Sequence, residues 1–172
     1  MPALYPEYWP QFFTATILEW KPLLQSDEIK NIIVKSLQYL VHKKRIQLHA
    51  FVIMKNHLHL IWQPLPRQTL QSIQHSFLKH TVQEMKLHLQ QYNGAYLEQF
   101  KVEAKDRMYQ FWERNSLSIE LRSSKVFDQK LEYIHQNPVK AGLCILSEQY
   151  YYSSANFYYT GMDEFKMLIR AD

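Results

Sequence analysis

The sequence predicts an α+β fold: a ferredoxin-like sandwich of the split βαβ kind, with an antiparallel sheet and extra C-terminal helices. Three observations carry that expectation. Strand and helix patterns run in the order strand–helix–strand–strand–helix–strand. The two middle strands are separated by a two-residue turn, which pairs them antiparallel. A length of 172 residues, with 47% hydrophobic and 21% charged residues, describes one globular domain with its own core. The expected unit spans residues 1–172, with a core at about 12–159 and a short tail at 160–172.

The first strand is FFTATIL at residues 12–18, rich in β-branched and aromatic side chains. The first helix follows from Ser26, a suitable N-cap. Asp27 and Glu28 suit its positive start, and Lys43 and Lys44 suit its end. Ile29, Ile32, Ile33, Leu37 and Leu40 recur at three- and four-residue steps, the period of an amphipathic helix. From Arg45 the period becomes two, which places Ile46, Leu48, Ala50, Val52 and Met54 on one face of a strand. Lys55-Asn56 is the turn, with Asn56 suited to a positive φ. A return strand runs from His57 to Gln63 with Leu58, Leu60 and Trp62 toward the core, and Pro64 and Pro66 end it.

A long helix is expected from Thr69 to about Leu89, with Leu70, Ile73, Phe77 and Met85 inside. Asn93-Gly94 breaks it, and residues 95–107 read as a further helix or a helical excursion. Leu117, Ile119 and Leu121 alternate with Ser118 and Glu120, a fourth strand. A helix from Lys125 to Gln136, capped by Ser123 or Ser124, is expected to stop at Asn137-Pro138. The aromatic stretch YYYSSANFYY carries no clear period. The last residues form either a small helix packed on the domain or a partner contact.

Composition narrows the chemistry. Aromatics reach 15%, whereas only 3 residues are Gly, and no GxGxxG or GxxxxGK[ST] loop is present. No nucleotide cofactor is therefore expected. The single Cys, Cys144, cannot close an internal disulfide, as in a reducing compartment. No apolar run approaches the roughly 18–20 residues that span a bilayer. The opening MPALYPEYWP lacks a basic segment followed by an apolar core, so the expectation is a cytoplasmic chain without signal peptide or membrane partner. The net charge is +4, but residues 41–90 hold seven basic residues against the single acid Glu84. That local +6 leaves −2 for the other 122 residues. Such a window is either a solvated basic face or a footprint for nucleic-acid phosphates.

Two constellations stand out. In NHLHLIW, His57 and His59 sit two apart on a strand and leave the same face. They read either as two ligands of a metal ion or as two partly exposed polar residues. In LEYIHQNPVKAGL, Phe127, Leu131 and Ile134 form the apolar arc of a helix, with Tyr133 and Asn137 four apart on its flank. Tyr133 reads either as a nucleophile beside an amide ligand or as a packed tyrosine, and Asn137 also as a helix-ending residue.

Together these blocks resemble the single-tyrosine HUH transposases, most closely the REP-associated tyrosine transposases. The resemblance runs from AFVIMKNHLHLIW through FWERNSL and LEYIHQNPVKAGL to YYYSSANFY, in the family's order and over about residues 12–159. It implies a ferredoxin-like domain that cuts and rejoins single-stranded DNA at hairpin-associated sites. It further implies that His57 and His59 bind a divalent metal, Mg²⁺ or Mn²⁺, with Asn137 as third ligand and Tyr133 as nucleophile. The family often has Pro where this chain has Lys55. Its members include monomers and homodimers in which the tyrosine helix serves a partner's metal site.

The chemistry is consistent from first principles. A phenol, with an ordinary pKa of about 10, is a weak nucleophile until activated. A divalent cation offsets charge in the transition state and orients the ester for in-line attack. Attack would leave a 5′-phosphotyrosyl link and a free 3′-hydroxyl, so strands rejoin without ATP. Candidate DNA-binding residues are Lys43, Lys44, Arg45, Lys55, Arg67, Lys79 and Lys86. Two alternatives are a non-cleaving DNA-binding module of the same fold and a metal-dependent hydrolase with water as nucleophile.

Overall fold

The computed structural model describes residues 8–171. Four strands, β1 (Gln11–Thr16), β2 (Ile46–Ile53), β3 (His57–Pro64) and β4 (Leu117–Glu120), form one sheet in the order β2-β3-β1-β4. Every neighbouring pair is antiparallel. Five helices accompany it: α1 (Asp27–His42), α2 (Leu70–Tyr92), α3 (Gly94–Glu98), α4 (Ser124–Lys140) and α5 (Ala155–Thr160). This is the split βαβ topology expected from the element order.

The sheet is covered on both faces, and this decides where the histidines lie. On one face α1 and α2 pack through Ile33, Leu37, Ile73, Phe77 and Met85 against Phe13, Leu58, Leu60 and Trp62. The Phe13 and Trp62 rings lie 4.9 Å apart, with Phe77 edge-on to both. The other face carries a smaller core in which Ile134 of α4 meets Phe12, Ala50, Val52, Met54 and Ile61. His57 and His59 share this second face, so α4 roofs a surface that a hairpin alone would leave open to water.

Local signals start each long helix. The hydroxyl oxygens of Ser26, Thr69 and Ser123 accept hydrogen bonds from the backbone N–H of Ile29, Ser72 and Val126. Such caps stabilise a helix by about 1 kcal/mol each.

The structure departs from the sequence expectations in several places. In β2 the register shifts between Leu48 and Ala50, a bulge at His49. Ile46 and Leu48 therefore face α1 and α2, whereas Ala50, Val52 and Met54 face α4. An extra residue inverts the alternation beyond it, so the apparent single face is split between two cores. Among the described residues neither Lys55 nor Asn56 has a positive φ. The turn is fixed instead by tertiary bonds, Ile17 N–H to the Asn56 carbonyl and Leu24 N–H to the Lys55 carbonyl. The helix expected at 95–107 is the five-residue α3. Beyond it the chain is irregular and folds back on itself, with Lys101 bridging Tyr109 and Ile17 bridging Trp112.

Helix α4 does not stop before Pro138 but carries it inside. Pro138 donates no hydrogen bond, yet its ring is buried, and helical geometry persists to Lys140. The helix then ends in a Schellman turn. Gly142, at φ +76°, donates to the Val139 carbonyl, and Leu143 donates to the Pro138 carbonyl.

The unassigned aromatic tail seals the free edge of β2. Ile53 N–H donates to the Tyr152 carbonyl, Ser154 N–H to the Phe51 carbonyl and Ile169 N–H to the Leu48 carbonyl. The final segment is no helix: the Asp163 carboxylate accepts from the N–H groups of Phe165, Met167 and Leu168, and buried Met167 joins the main core. His135 on α4 is buried, with Nε2 2.8 Å from Ser154 Oγ, and burial lowers its pKa to about 4. Among the described residues no helix is long and apolar enough to cross a membrane.

Candidate active site

Antiparallel register sets the first half of the site. Thr14 is paired with His59 and Thr16 with His57 across β1 and β3, while Val52 of β2 is paired with His59 from the other side. Period-two geometry sends both imidazoles to the α4 face, 4.9 Å apart between ring centroids. Helix α4 supplies the second half. Lys130, Tyr133 and Asn137 recur at steps of three and four residues, one stripe beside the apolar arc that seats the helix.

The two halves meet within one chain. Tyr133 lies edge-on to His59 at 5.3 Å and to Phe12 at 6.0 Å. Phe12 stacks on His59 at 5.3 Å, so the three rings form a triangle, and Trp20 lies edge-on to His57 at 6.0 Å. The Asn137 side chain reaches His57. The Lys130 ammonium sits 4.8 Å from the Phe12 ring centre and 5.6 Å from that of Tyr133. Tyr133 is 45% exposed, so its ring is held at the rim and open to a ligand.

The imidazoles are held neutral. Burial pushes the His59 pKa down to about 3, helped by the nearby His57 and by the positive charge of Lys130. Burial also lowers His57, and the contact with Asn137 opposes this. The Nδ1 atom of each ring is engaged: His57 Nδ1 lies 2.7 Å from Asn56 Oδ1, and His59 Nδ1 lies 2.8 Å from Thr14 Oγ1. A neutral ring that donates from Nδ1 presents a lone pair at Nε2. His59 Nε2 is buried without a hydrogen-bond partner. A buried polar nitrogen left without a partner is costly unless a further ligand meets it.

These residues therefore fit a divalent cation. His57 and His59 offer imidazole nitrogens and Asn137 an amide oxygen, and each imidazole has an outer partner that orients it. Among the described residues no group of three His, Cys, Asp or Glu comes together, so the third donor in this set is the neutral amide.

The basic window does not form one surface around the site. Lys79 and Lys86 are on α2, across the sheet from the histidines, with Lys86 over the Tyr109 ring at 5.4 Å. Lys43, Lys44 and Arg45 lie at the α1–β2 corner, near the end of the sheet opposite His57. The Arg45 guanidinium is occupied by Gln68, Ser72 and Ser76 at 2.9–3.1 Å, a tie between that corner and α2. Arg67 lies between β3 and α2 at φ 74°. Lys55 is the member of the set brought to the histidine end, in the turn next to Asn56.

Four residues of the site escaped sequence reasoning. Lys130 could have been found, since it lies one turn before Tyr133 on the same stripe. Asn56 is adjacent to His57. Thr14 and Phe12 had no such signal, because only the pairing of β1 with β3 brings them to the imidazoles.

Fold and site together define a ferredoxin-like sandwich with a histidine pair on the central strand β3 and a tyrosine helix laid over it. The fold, without regard to the site, is similar to that of a REP-associated tyrosine transposase solved bound to a REP hairpin. The TM-score is 0.65 at 17% sequence identity, over 99% of this chain and 92% of that one. A protein from Deinococcus radiodurans, described only provisionally as a transposase, is more distantly similar: TM-score 0.48, 12% identity, 78% of this chain and 95% of that one. No protein-family model matches the chain, and no curated protein matches it in sequence.

Proposed function

We propose that this protein is a single-tyrosine DNA transposase of the HUH type, cleaving and rejoining single-stranded DNA through Tyr133. The observation that carries the proposal is the placement of the Tyr133 ring 5.3 Å from His59, with His57 and Asn137 beside them in the same chain. The shared fold with a transposase that binds a REP hairpin supports it, as does the order of sequence blocks around both motifs.

In this reading His57, His59 and Asn137 hold Mg²⁺ or Mn²⁺. When bound, the cation supplies Lewis-acid stabilisation of charge on the phosphate oxygens. Asn56 and Thr14 orient the imidazole rings through their Nδ1 atoms, and His59 Nε2 is without a hydrogen-bond partner. Tyr133, at the rim and packed against Phe12 and His59, meets the phosphate with its orientation already restricted. Its phenolic oxygen forms a bond to phosphorus while the bond from phosphorus to the 3′-oxygen breaks. The phenol loses its proton and the departing 3′-oxygen gains one. The downstream strand stays attached through a 5′-phosphotyrosyl ester, whose reversal rejoins DNA with no nucleotide consumed.

The test is covalent capture. Hairpin oligonucleotides with randomised flanks, labelled at the 3′ end, are incubated with the protein and Mg²⁺ or Mn²⁺. A labelled adduct that survives denaturation is expected with the wild type and absent with Tyr133→Phe. Cleavage that persists in Tyr133→Phe would point to water as nucleophile and overturn the proposal. Salt-sensitive binding with no adduct in either metal would instead indicate a non-cleaving module.

A further inference from the structure

We propose that Lys130 is the phosphate-binding cation of this site, its ammonium contacting a nonbridging oxygen of the scissile phosphate. The inference rests on the transesterase reading above and assigns to that reaction a residue outside the histidine–tyrosine–asparagine set. It stands on three features of the structure.

First, Lys130 belongs to the same helical stripe as Tyr133 and Asn137, on the rim that faces the imidazoles. Second, among the described residues no carboxylate oxygen lies within 4 Å of its ammonium, whereas Lys21, Lys30 and Lys101 each have one. Asp128 and Glu132 are close in sequence but make no ion pair with it. Third, the charge is partly withdrawn from solvent and held over two aromatic faces, Phe12 at 4.8 Å and Tyr133 at 5.6 Å. Cation–π contacts of this kind confine the end of a flexible lysine without neutralising it.

A half-buried lysine over a tyrosine rim, without a carboxylate, is a positive charge in want of an anion. The neighbouring donors, His57, His59 and Asn137, are all neutral. A phosphodiester already carries one negative charge, and attack by the Tyr133 oxygen concentrates more on its nonbridging oxygens. A cation fixed on the tyrosine side of the phosphate opposes that growing charge at little reorganisation cost. The bland alternative is that Lys130 only shelters the Phe12 ring with its aliphatic stem.

The two roles separate by substrate charge. Adduct formation is followed in single turnover on an oligonucleotide recovered by covalent capture. A matched oligonucleotide carries a methylphosphonate, which lacks the anionic oxygen, at the cleaved step. Lys130→Met keeps most of the stem and Lys130→Arg keeps the charge. On the phosphodiester, Lys130→Met is expected to slow adduct formation on the order of 100-fold, with Lys130→Arg within about tenfold of wild type. On the methylphosphonate the wild type and Lys130→Met should differ less than about threefold. Equal losses on both substrates, or no loss on the phosphodiester while the wild type reacts, would overturn the assignment. If Lys130→Met unfolds, Lys130→Gln takes its place and is read by the same criteria. A wild type that forms no adduct with any oligonucleotide overturns the transesterase reading itself, a result distinct from either.

Discussion

Thr14 and His59 face one another across β1 and β3, with Thr14 Oγ1 2.8 Å from His59 Nδ1. This contact leaves His59 Nε2 as the free nitrogen of a buried imidazole. A hydroxyl on the neighbouring strand thus sets which nitrogen is offered to a ligand.

Replacing Thr14 with Val keeps the shape and removes the hydroxyl. Outer partners of this kind typically contribute 10- to 100-fold in metal affinity. Mn²⁺ binding, read by electron paramagnetic resonance on the protein without DNA, is expected to weaken by about that factor in Thr14→Val. Thr14→Ser should remain near wild type. Unchanged Mn²⁺ affinity in Thr14→Val would separate the hydroxyl from the metal.

Ser154 joins three parts of the molecule. Its hydroxyl oxygen accepts from Phe51 N–H at 3.0 Å and lies 2.8 Å from His135 Nε2, and the residue is fully buried. Ser154→Ala strands a buried N–H of β2 and a buried ring nitrogen of α4. The expected loss is about 2–3 kcal/mol in urea unfolding. A loss under 0.5 kcal/mol would show that this junction is not rigid.

Gly142 ends the helix that carries Tyr133 and Asn137, at φ +76° with nothing within 4 Å of an added Cβ. Only backbone conformation opposes a side chain there. Gly142→Ala is expected to cost about 1 kcal/mol. Its thermal midpoint should fall by a few degrees, with the far-ultraviolet spectrum unchanged. No shift would mean that the Schellman turn re-forms without a left-handed residue.

Stability should fall on the alkaline side. Tyr150 donates to the Ile53 carbonyl at 2.6 Å and Tyr158 to the His49 carbonyl at 2.7 Å. Burial pushes both phenols up to about 12, so they stay neutral in the fold where an unfolded phenol ionises near 10. Their contribution is complete below pH 10 and is lost as the pH rises toward 12. Because each ring is partly exposed, roughly 1–2 kcal/mol per phenol is expected. The Tyr150→Phe, Tyr158→Phe double variant should be less stable at pH 8 and lose stability less steeply between pH 10 and 12. An unchanged slope would mean that other groups govern alkaline unfolding.

Much of the molecule was legible from local pattern. The caps at Ser26 and Ser123, the helical period of α1 and α2 and the short β2–β3 connection are properties of a few adjacent residues. What failed depended on distant partners. The β2 alternation looked uniform because all five residues are apolar, and only the His49 bulge shows that two of them serve one core and three the other. Asn137-Pro138 read as a stop, yet burial of Pro138 and the turn at Gly142 carried α4 a turn further. The basic window looked like one surface, but the sheet divides it.

The sequence by itself determined the element order, the strand position of His57 and His59 and the helix position of Tyr133 and Asn137, since each follows from spacing within one element. Tertiary structure alone decided that the two motifs meet, that the second face of the sheet is roofed, and that Thr14 and Phe12 complete the group. The physical reason is register. Periodicity says which face of an element a side chain leaves, whereas pairing of β1 with β3 and the seating of Ile134 on the sheet determine what that side chain meets.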